Sequence, residues 1–114
     1  MFSFFKKMGC EEKYKDVSIE EAVETYHTAK NDYIWLDVRT ETEYKTGHIP
    51  GAKLIPIDQL EERAHEVGPK DKNYMVVCHS GGRSVAACKI LYEKGYRFLF
   101  NLPGGMSQWS GPKE

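Results

Sequence analysis

The sequence predicts an α/β fold with a central, mostly parallel sheet of about five short strands that helices flank. Two observations predict it. Short apolar runs alternate along the chain with segments of helical periodicity, the order that a parallel sheet requires. The runs at 33–36 and 74–77 are almost continuously apolar, as expected for strands buried on both faces. A length of 114 residues suits one domain with one hydrophobic core.

Capping signals mark two helices in the first half of the chain. Ser18 and Glu21 form a capping box, and apolar residues follow at helical spacing, which predicts a helix over 18–30. Thr40 and Glu43 repeat the pattern before a short helix that Gly47 should end.

The second half of the chain continues the alternation. A short strand is expected at 53–55, and Asp58 with Glu61 should cap a brief helix that runs through His65. Apolar residues recur at helical spacing from Ser84 until Gly95, and a last strand is expected at 98–100.

Composition excludes several functional classes. A formal net charge of −1 provides no electrostatic reason to expect nucleic acid, and no apolar stretch approaches the length of a membrane span. Cys10, Cys78 and Cys88 match neither a disulfide framework nor a zinc site, so we expect no metal and a reducing, cytoplasmic setting. We expect one domain over 17–112, preceded by an N-terminal tail over 1–16.

The most informative segment is the strand at 74–77 and the loop that follows it. Cys78 heads a glycine-rich loop that opens a helix, and Gly81 and Gly82 allow successive backbone N–H groups to point inward. Arg83 adds a positive charge at the helix start. Backbone donors, a helix N-terminus and a nearby cation all lower the pKa of a thiol, so Cys78 is predicted to be a nucleophile.

Loop length indicates which anion the loop would hold. Four residues separate Cys78 from Arg83: His79, Ser80, Gly81 and Gly82. Cysteine phosphatases have five residues there, and a shorter loop suits a terminal sulfur better than a phosphate. At this point the chain resembles the rhodanese-like sulfurtransferases, whose six-residue loop begins with the cysteine that forms the persulfide.

Three further motifs carry the resemblance. The segment 36–39 with Glu43 is similar to the family's Asp-x-Arg signature, 47–52 to its next turn, and 103–105 with Trp109 to its C-terminal Gly-Gly and tryptophan motif. The resemblance implies a rhodanese-like three-layer fold. It also implies supporting roles for three residues: Asp37 braces neighbouring loop backbone, and Arg39 pairs with Glu43. His48, which lies in the turn at 47–51, is interpreted as a fourth supporting residue that stabilises this turn.

The remaining candidate residues have alternatives that the sequence leaves open. Ser80 and Ser84 could donate to the bound sulfur, although a helix cap is favoured for Ser84. Arg83 could bond loop carbonyls or face the sulfur. His79 could act as a general acid, but a side chain that points outward is favoured. Cys88 is interpreted as a small core residue rather than a resolving thiol.

These features predict a sulfurtransferase that needs no cofactor. Cys78 would take a sulfane sulfur from thiosulfate or a persulfide, including a protein persulfide, and pass it to cyanide or a thiol. The alternatives are a non-catalytic persulfide carrier that docks on a partner, and a phosphatase or arsenate reductase on the same fold. Loop length argues against the last two enzymes.

Overall fold

The computed structural model describes residues 13–114, so the first twelve residues of the predicted N-terminal tail lie outside it. The strands are β1 (Lys15–Asp16), β2 (Tyr33–Asp37), β3 (Lys53–Leu54), β4 (Asn73–Val77) and β5 (Leu99–Asn101). The α-helices are α1 (Ile19–Ala29), α2 (Glu41–Thr46), α3 (Ile57–Leu60), α4 (Gly82–Glu93) and α5 (Gly105–Gln108). Short 3₁₀ turns occupy Lys30–Asp32 and Ala64–Glu66. No helix within 13–114 is long and apolar enough to cross a bilayer.

The five strands form one parallel sheet in the order β1-β5-β4-β2-β3, which confirms the predicted fold class. β4 lies between β5 and β2, with Val76 in register with both Leu36 and Asn101. Because parallel strands end at the same edge of a sheet, the residues that follow β2 and β4 are brought together there. Strand β1, which the sequence analysis did not predict, extends this sheet from within the expected tail.

Alternation along the strands divides the core into two layers. Leu36, Val76 and Leu99 belong to the layer that packs against α3 and α4. The opposite layer contains Trp35 and the C-terminal Trp109. The rings of these two tryptophans meet edge to face at 5.9 Å, so Trp109 is a core aromatic that holds the C-terminal segment on the sheet.

Two predicted helix starts are wrong, and both differ for backbone reasons. Helix α3 begins after Pro56, whose φ of −56° already suits a helix start, and Asp58 lies inside the helix instead of capping it. Helix α4 begins two residues before Ser84, with Gly81 at the N-cap and a φ of +101°. The capping boxes of Ser18 and Thr40 are both present as predicted.

Candidate active site

Cys78 lies directly after β4, where the chain turns into α4. The residue is only 1% exposed, and its thiol is free. The backbone N–H of Gly81 donates to Sγ across 2.9 Å, and the hydroxyl oxygen of Ser84 lies 3.4 Å from Sγ. The loop therefore curls back so that its own backbone meets the sulfur.

Two opposing effects act on the pKa of Cys78. Burial raises it, because a thiolate is poorly solvated inside the protein. The Ser84 hydroxyl, once it turns its proton toward the thiolate, and the amides of Ser84, Gly81 and Ser80 lower it through hydrogen bonds, and together they outweigh burial. The first N–H groups of a helix have no partner within the helix, which leaves the Ser84 amide available to the sulfur. The net result is a pKa below the ordinary value of a cysteine.

Close backbone contacts explain two of the glycines in this region. A Cβ at Gly81 would lie 2.2 Å from the carbonyl oxygen of Pro103, and its φ of +101° disfavours any side chain. A Cβ at Gly105, where φ is +56°, would lie 2.3 Å from the carbonyl oxygen of Cys78. At Gly82 a Cβ would meet nothing within 4 Å. The first two glycines thus allow the loop and the C-terminal segment to touch.

The C-terminal helix α5 is hydrogen-bonded to the loop that begins at Cys78. The N–H of Met106 donates to the carbonyl of Cys78 at 2.8 Å, and the N–H of Ser107 donates to that of His79 at 2.9 Å. The Gly-Gly motif at 104–105 had no predicted role at the loop. Gly105 was the signal, since glycine is the residue that allows a close approach of another backbone segment.

Arg83 faces Glu43 and not the loop carbonyls. Its guanidinium makes two parallel hydrogen bonds to the Glu43 carboxylate, at 2.7 and 2.8 Å. The same carboxylate accepts from the backbone N–H and the hydroxyl of Thr40, both at 3.0 Å. The Arg83 hydrogen bond, with the capping box, lowers the pKa of Glu43 to about 2. Glu43 is therefore ionised and fixed, and it joins α2 to the first turn of α4.

The predicted pair of Arg39 with Glu43 is wrong, because Arg39 binds Asp37. Its Nε and Nη2 reach the Asp37 carboxylate at 2.9 and 2.7 Å, and Nη2 also donates to the Gly47 carbonyl at 2.8 Å. Both side chains are buried, and Asp37 also accepts from the backbone N–H of Arg39. Asp37 does contact backbone, as the resemblance implied, but in the turn after β2.

The candidate histidines lie in different surroundings. The ring of His48 stacks on Tyr44 at 3.7 Å, and its Nδ1 lies 2.8 Å from the Tyr44 carbonyl oxygen. These contacts join the end of α2 to the turn that follows. His79 and Ser80 are exposed on the loop, as is Gly82 at the start of α4, so the His79 side chain is on the outer surface. Nothing places the His79 ring beside the sulfur.

A network that the sequence analysis missed lies behind Cys78. The hydroxyl of Ser84 donates to Oδ1 of Asn101, and Nδ2 of Asn101 donates to Asp16 at 2.9 Å. Asn101 is only 2% exposed at the end of β5. A polar residue at the end of a predicted strand was the available signal, but its partners lie 17 positions away on α4 and 85 positions away on β1.

Cys88 is the other described cysteine, and it lies within α4 with no exposure. Burial is the main reason that its pKa is far above the ordinary value, with smaller contributions from the charges of Asp16 and Cys78. It packs as a core residue. Among residues 13–114, no cluster of three or more His, Cys, Asp and Glu side chains could hold a metal ion.

Comparison with known proteins agrees with this fold. The sequence model of the Rhodanese-like domain matches residues 13–112. Thiosulfate sulfurtransferase PspE from Escherichia coli (strain K12) is 38% identical over 69% of this chain and 76% of its own length. The crystal structure of a rhodanese-like domain protein from Staphylococcus aureus has a TM-score of 0.78 and 31% identity, over 88% of this chain and 96% of that one.

A further relative is longer than this chain. YrkF from Bacillus subtilis (strain 168), a protein that its name assigns provisionally to sulfur carriage, is 40% identical over 79 residues. Those residues are 69% of this chain but only 42% of YrkF. What YrkF does as a whole is therefore not transferred to this chain by the match.

Proposed function

This chain belongs to the rhodanese-like domain family, and from that membership we propose that it is a sulfurtransferase that carries sulfur on Cys78. The donor is thiosulfate or a persulfide, and the acceptor is cyanide or a thiol. The observation that carries the proposal is the Gly81 N–H at 2.9 Å from Sγ, because an inward-facing amide favours negative charge on sulfur.

The first half-reaction loads the cysteine. The Cys78 thiolate attacks the outer sulfur of thiosulfate, a new S–S bond forms, and the old S–S bond breaks with its electron pair leaving on sulfite. With a persulfide donor, the leaving group is the donor's thiolate. The product in both cases is a Cys78 persulfide anion, whose charge the loop amides stabilise.

The second half-reaction returns the enzyme to its starting state. Cyanide or a thiolate attacks the terminal sulfur, and the S–S bond to Cys78 breaks with its electrons returning to Sγ. Thiocyanate or a new persulfide leaves. No oxidant, metal or cofactor enters either step, and the kinetics are expected to be ping-pong because the donor product leaves before the acceptor reacts.

The Glu43 carboxylate bears on the choice of donor. Arg83 is the cation that the loop itself carries, and its bidentate pair with Glu43 neutralises it. A thiosulfate dianion would thus meet little net positive charge at the loop. A persulfide carries a single negative charge, so it depends less on positive charge for binding. We infer that persulfides, including protein persulfides, are better donors than thiosulfate.

Mass spectrometry of the intact chain tests the proposal. After treatment with glutathione persulfide or thiosulfate, the wild-type chain should gain one sulfur atom and lose it to cyanide as thiocyanate. The Cys78→Ser variant should gain none at this site and should show no turnover. Cys10→Ser is the matched control, since it removes a different thiol and should leave loading and release intact. An adduct that persists in Cys78→Ser would reject the site.

A carrier function is the second candidate, and the low exposure of Cys78 favours it. With the residue only 1% exposed, a persulfide formed there would be sheltered from small acceptors until a partner engaged the loop. The same experiment distinguishes the two functions. Loading without release to cyanide or to small thiols indicates a carrier, while repeated release of thiocyanate indicates an enzyme.

A further inference from the structure

Three polar side chains form a chain of hydrogen bonds that ends at Cys78. Asp16 on β1 accepts from Nδ2 of Asn101 at 2.9 Å, and Oδ1 of Asn101 accepts from the Ser84 hydroxyl at 2.5 Å. The Ser84 oxygen then lies 3.4 Å from Sγ of Cys78. Asn101 and Ser84 are both buried, so no bulk water competes for these groups.

The direction of each hydrogen bond follows from the chemistry of the groups. An ionised carboxylate can only accept, so the Asn101 amide must turn its NH₂ group toward Asp16. Its carbonyl oxygen then faces Ser84, and a carbonyl oxygen can also only accept. The Ser84 hydroxyl must therefore donate to Asn101. Asp16 determines this arrangement indirectly, because it orients the Asn101 amide.

The consequence for Cys78 depends on the single proton of the Ser84 hydroxyl. While that proton points to Asn101, Ser84 presents only lone pairs to the sulfur, which suits a thiol that donates its S–H. A thiolate needs the opposite arrangement. The hydroxyl must turn its proton toward Sγ, and the buried Asn101 carbonyl then loses its donor, which is unfavourable.

We propose that Asn101 is a positioning residue for Cys78, which holds the Ser84 hydroxyl in the orientation that stabilises the resting thiol and so opposes its ionisation. The loop amides of Gly81 and its neighbours favour the thiolate in either hydroxyl orientation. Asn101 thereby limits how far those amides lower the pKa. The proposal concerns the site of the proposed function, but it depends on ionisation alone and not on sulfur transfer.

Other groups influence Cys78, and a test must leave them unchanged. The Gly81 carbonyl, 3.1 Å from the Ser84 oxygen, is a second acceptor for the same proton. It remains in every variant below, so removing Asn101 frees the proton only in part. The charged or titratable side chains on the elements around the site include Arg83 and Cys88 on α4, Glu43 on α2, Asp37 at the end of β2, Arg39 after it, Asp16 on β1 and His79 on the loop.

NMR titration of the Cys78 Cβ signal in the full chain tests the proposal, because it reports ionisation at one residue. In Asn101→Leu the acceptor is lost and the hydroxyl is free to turn toward Sγ. The pKa of Cys78 should then fall by about one unit, the size expected for one hydrogen bond to a charged group. Asn101→Ala removes the same acceptor without adding bulk, and it serves if the leucine variant does not fold.

Two controls separate positioning from general loosening of the site. Leu99→Val perturbs a buried residue on the same strand and should leave the Cys78 pKa unchanged. In a Ser84→Ala background, where no hydroxyl remains to turn, adding Asn101→Leu should have no further effect. An unchanged or raised pKa in both folded Asn101 variants would overturn the proposal, as would an equal fall without Ser84. Failure of the wild-type chain to load sulfur would reject the proposed function but not this inference.

Discussion

Cys78 and Cys88 are ten positions apart and almost equally buried, yet their pKa values are shifted in opposite directions. Their exposed fractions are 1% and 0%, and burial raises the pKa of each thiol. Hydrogen bonds from three amides and a hydroxyl bring the pKa of Cys78 below its ordinary value, while that of Cys88 remains far above it. Exposure therefore does not distinguish the two cysteines.

The difference comes from where each cysteine meets α4. Cys78 precedes the helix, where the first N–H groups have no carbonyl partner in the helix and can point at the sulfur. Cys88 lies in the middle of α4, where the neighbouring amides are already bonded to carbonyls one turn earlier. The position along one helix thus decides which buried thiol can become a nucleophile.

The largest change should come from a side chain at Gly81. In Gly81→Ala the new Cβ would collide with the Pro103 carbonyl, so the loop must move and its amide must leave the sulfur. We expect sulfur transfer to fall about 10²-fold, as when one backbone-type donor is removed from an oxyanion site. The Cys78 pKa should rise toward that of an ordinary buried thiol. Steady-state kinetics and NMR titration measure the two effects.

Gly82→Ala is the matched control for that experiment. Gly82 has an ordinary backbone conformation, its Cβ would meet nothing within 4 Å, and alanine suits the first helical position. Activity should stay within about twofold of wild type. Equal losses in the two variants would show that the loop needs glycine for flexibility, and that the placement of one amide is not the cause.

An alkaline stability measurement should reveal the opposite behaviour of Cys88. Its pKa is raised on folding, so its contribution to stability is complete below the unfolded pKa of about 8.5 and is lost as pH rises above that value. One pH unit higher, about 1.4 kcal/mol should be lost.

The loss is obtained by difference from Cys88→Ala, measured by urea unfolding at neutral and alkaline pH. Cys88→Ala has no thiol to ionise, so the wild-type advantage over it should shrink as pH rises. The tyrosines with raised pKa values are present in both chains and cancel. A wild-type advantage that is independent of pH would mean that Cys88 ionises as easily in the folded chain as in the unfolded one.

The smallest expected effect concerns charge outside the amide loop. Glu43→Gln keeps the capping box, since glutamine also serves at that position, but it leaves Arg83 with a net positive charge. The kcat/KM for thiosulfate should rise about two- to fivefold at low salt, as expected for one charge acting through water. That for glutathione persulfide should change less. A fall for both donors would mean that the ion pair is needed to hold the loop.

The sequence was sufficient to predict the loop, but the predicted ion pair of Glu43 was wrong, because the loop depends on local interactions and the ion pair on tertiary packing. A cysteine, two glycines and a helix start within a few residues act through local backbone geometry, which the residue types largely determine. Whether Glu43 pairs with Arg39 or with Arg83 depends on which side of α2 faces α4. That orientation is set by packing between segments 40 residues apart in sequence.

By itself, the sequence determined the parallel α/β sheet, the two capping boxes and the place of Cys78 after a buried strand. Apolar periodicity and backbone preferences act over a few residues, and those are the interactions that a sequence displays directly. Only the tertiary structure decided that Asn101 and Asp16 stand behind Ser84, and that the C-terminal glycines support the loop. Asn101 lies 17 positions from Ser84 and 85 positions from Asp16, so these side chains meet only when α4 and β1 pack beside β5 in the folded sheet.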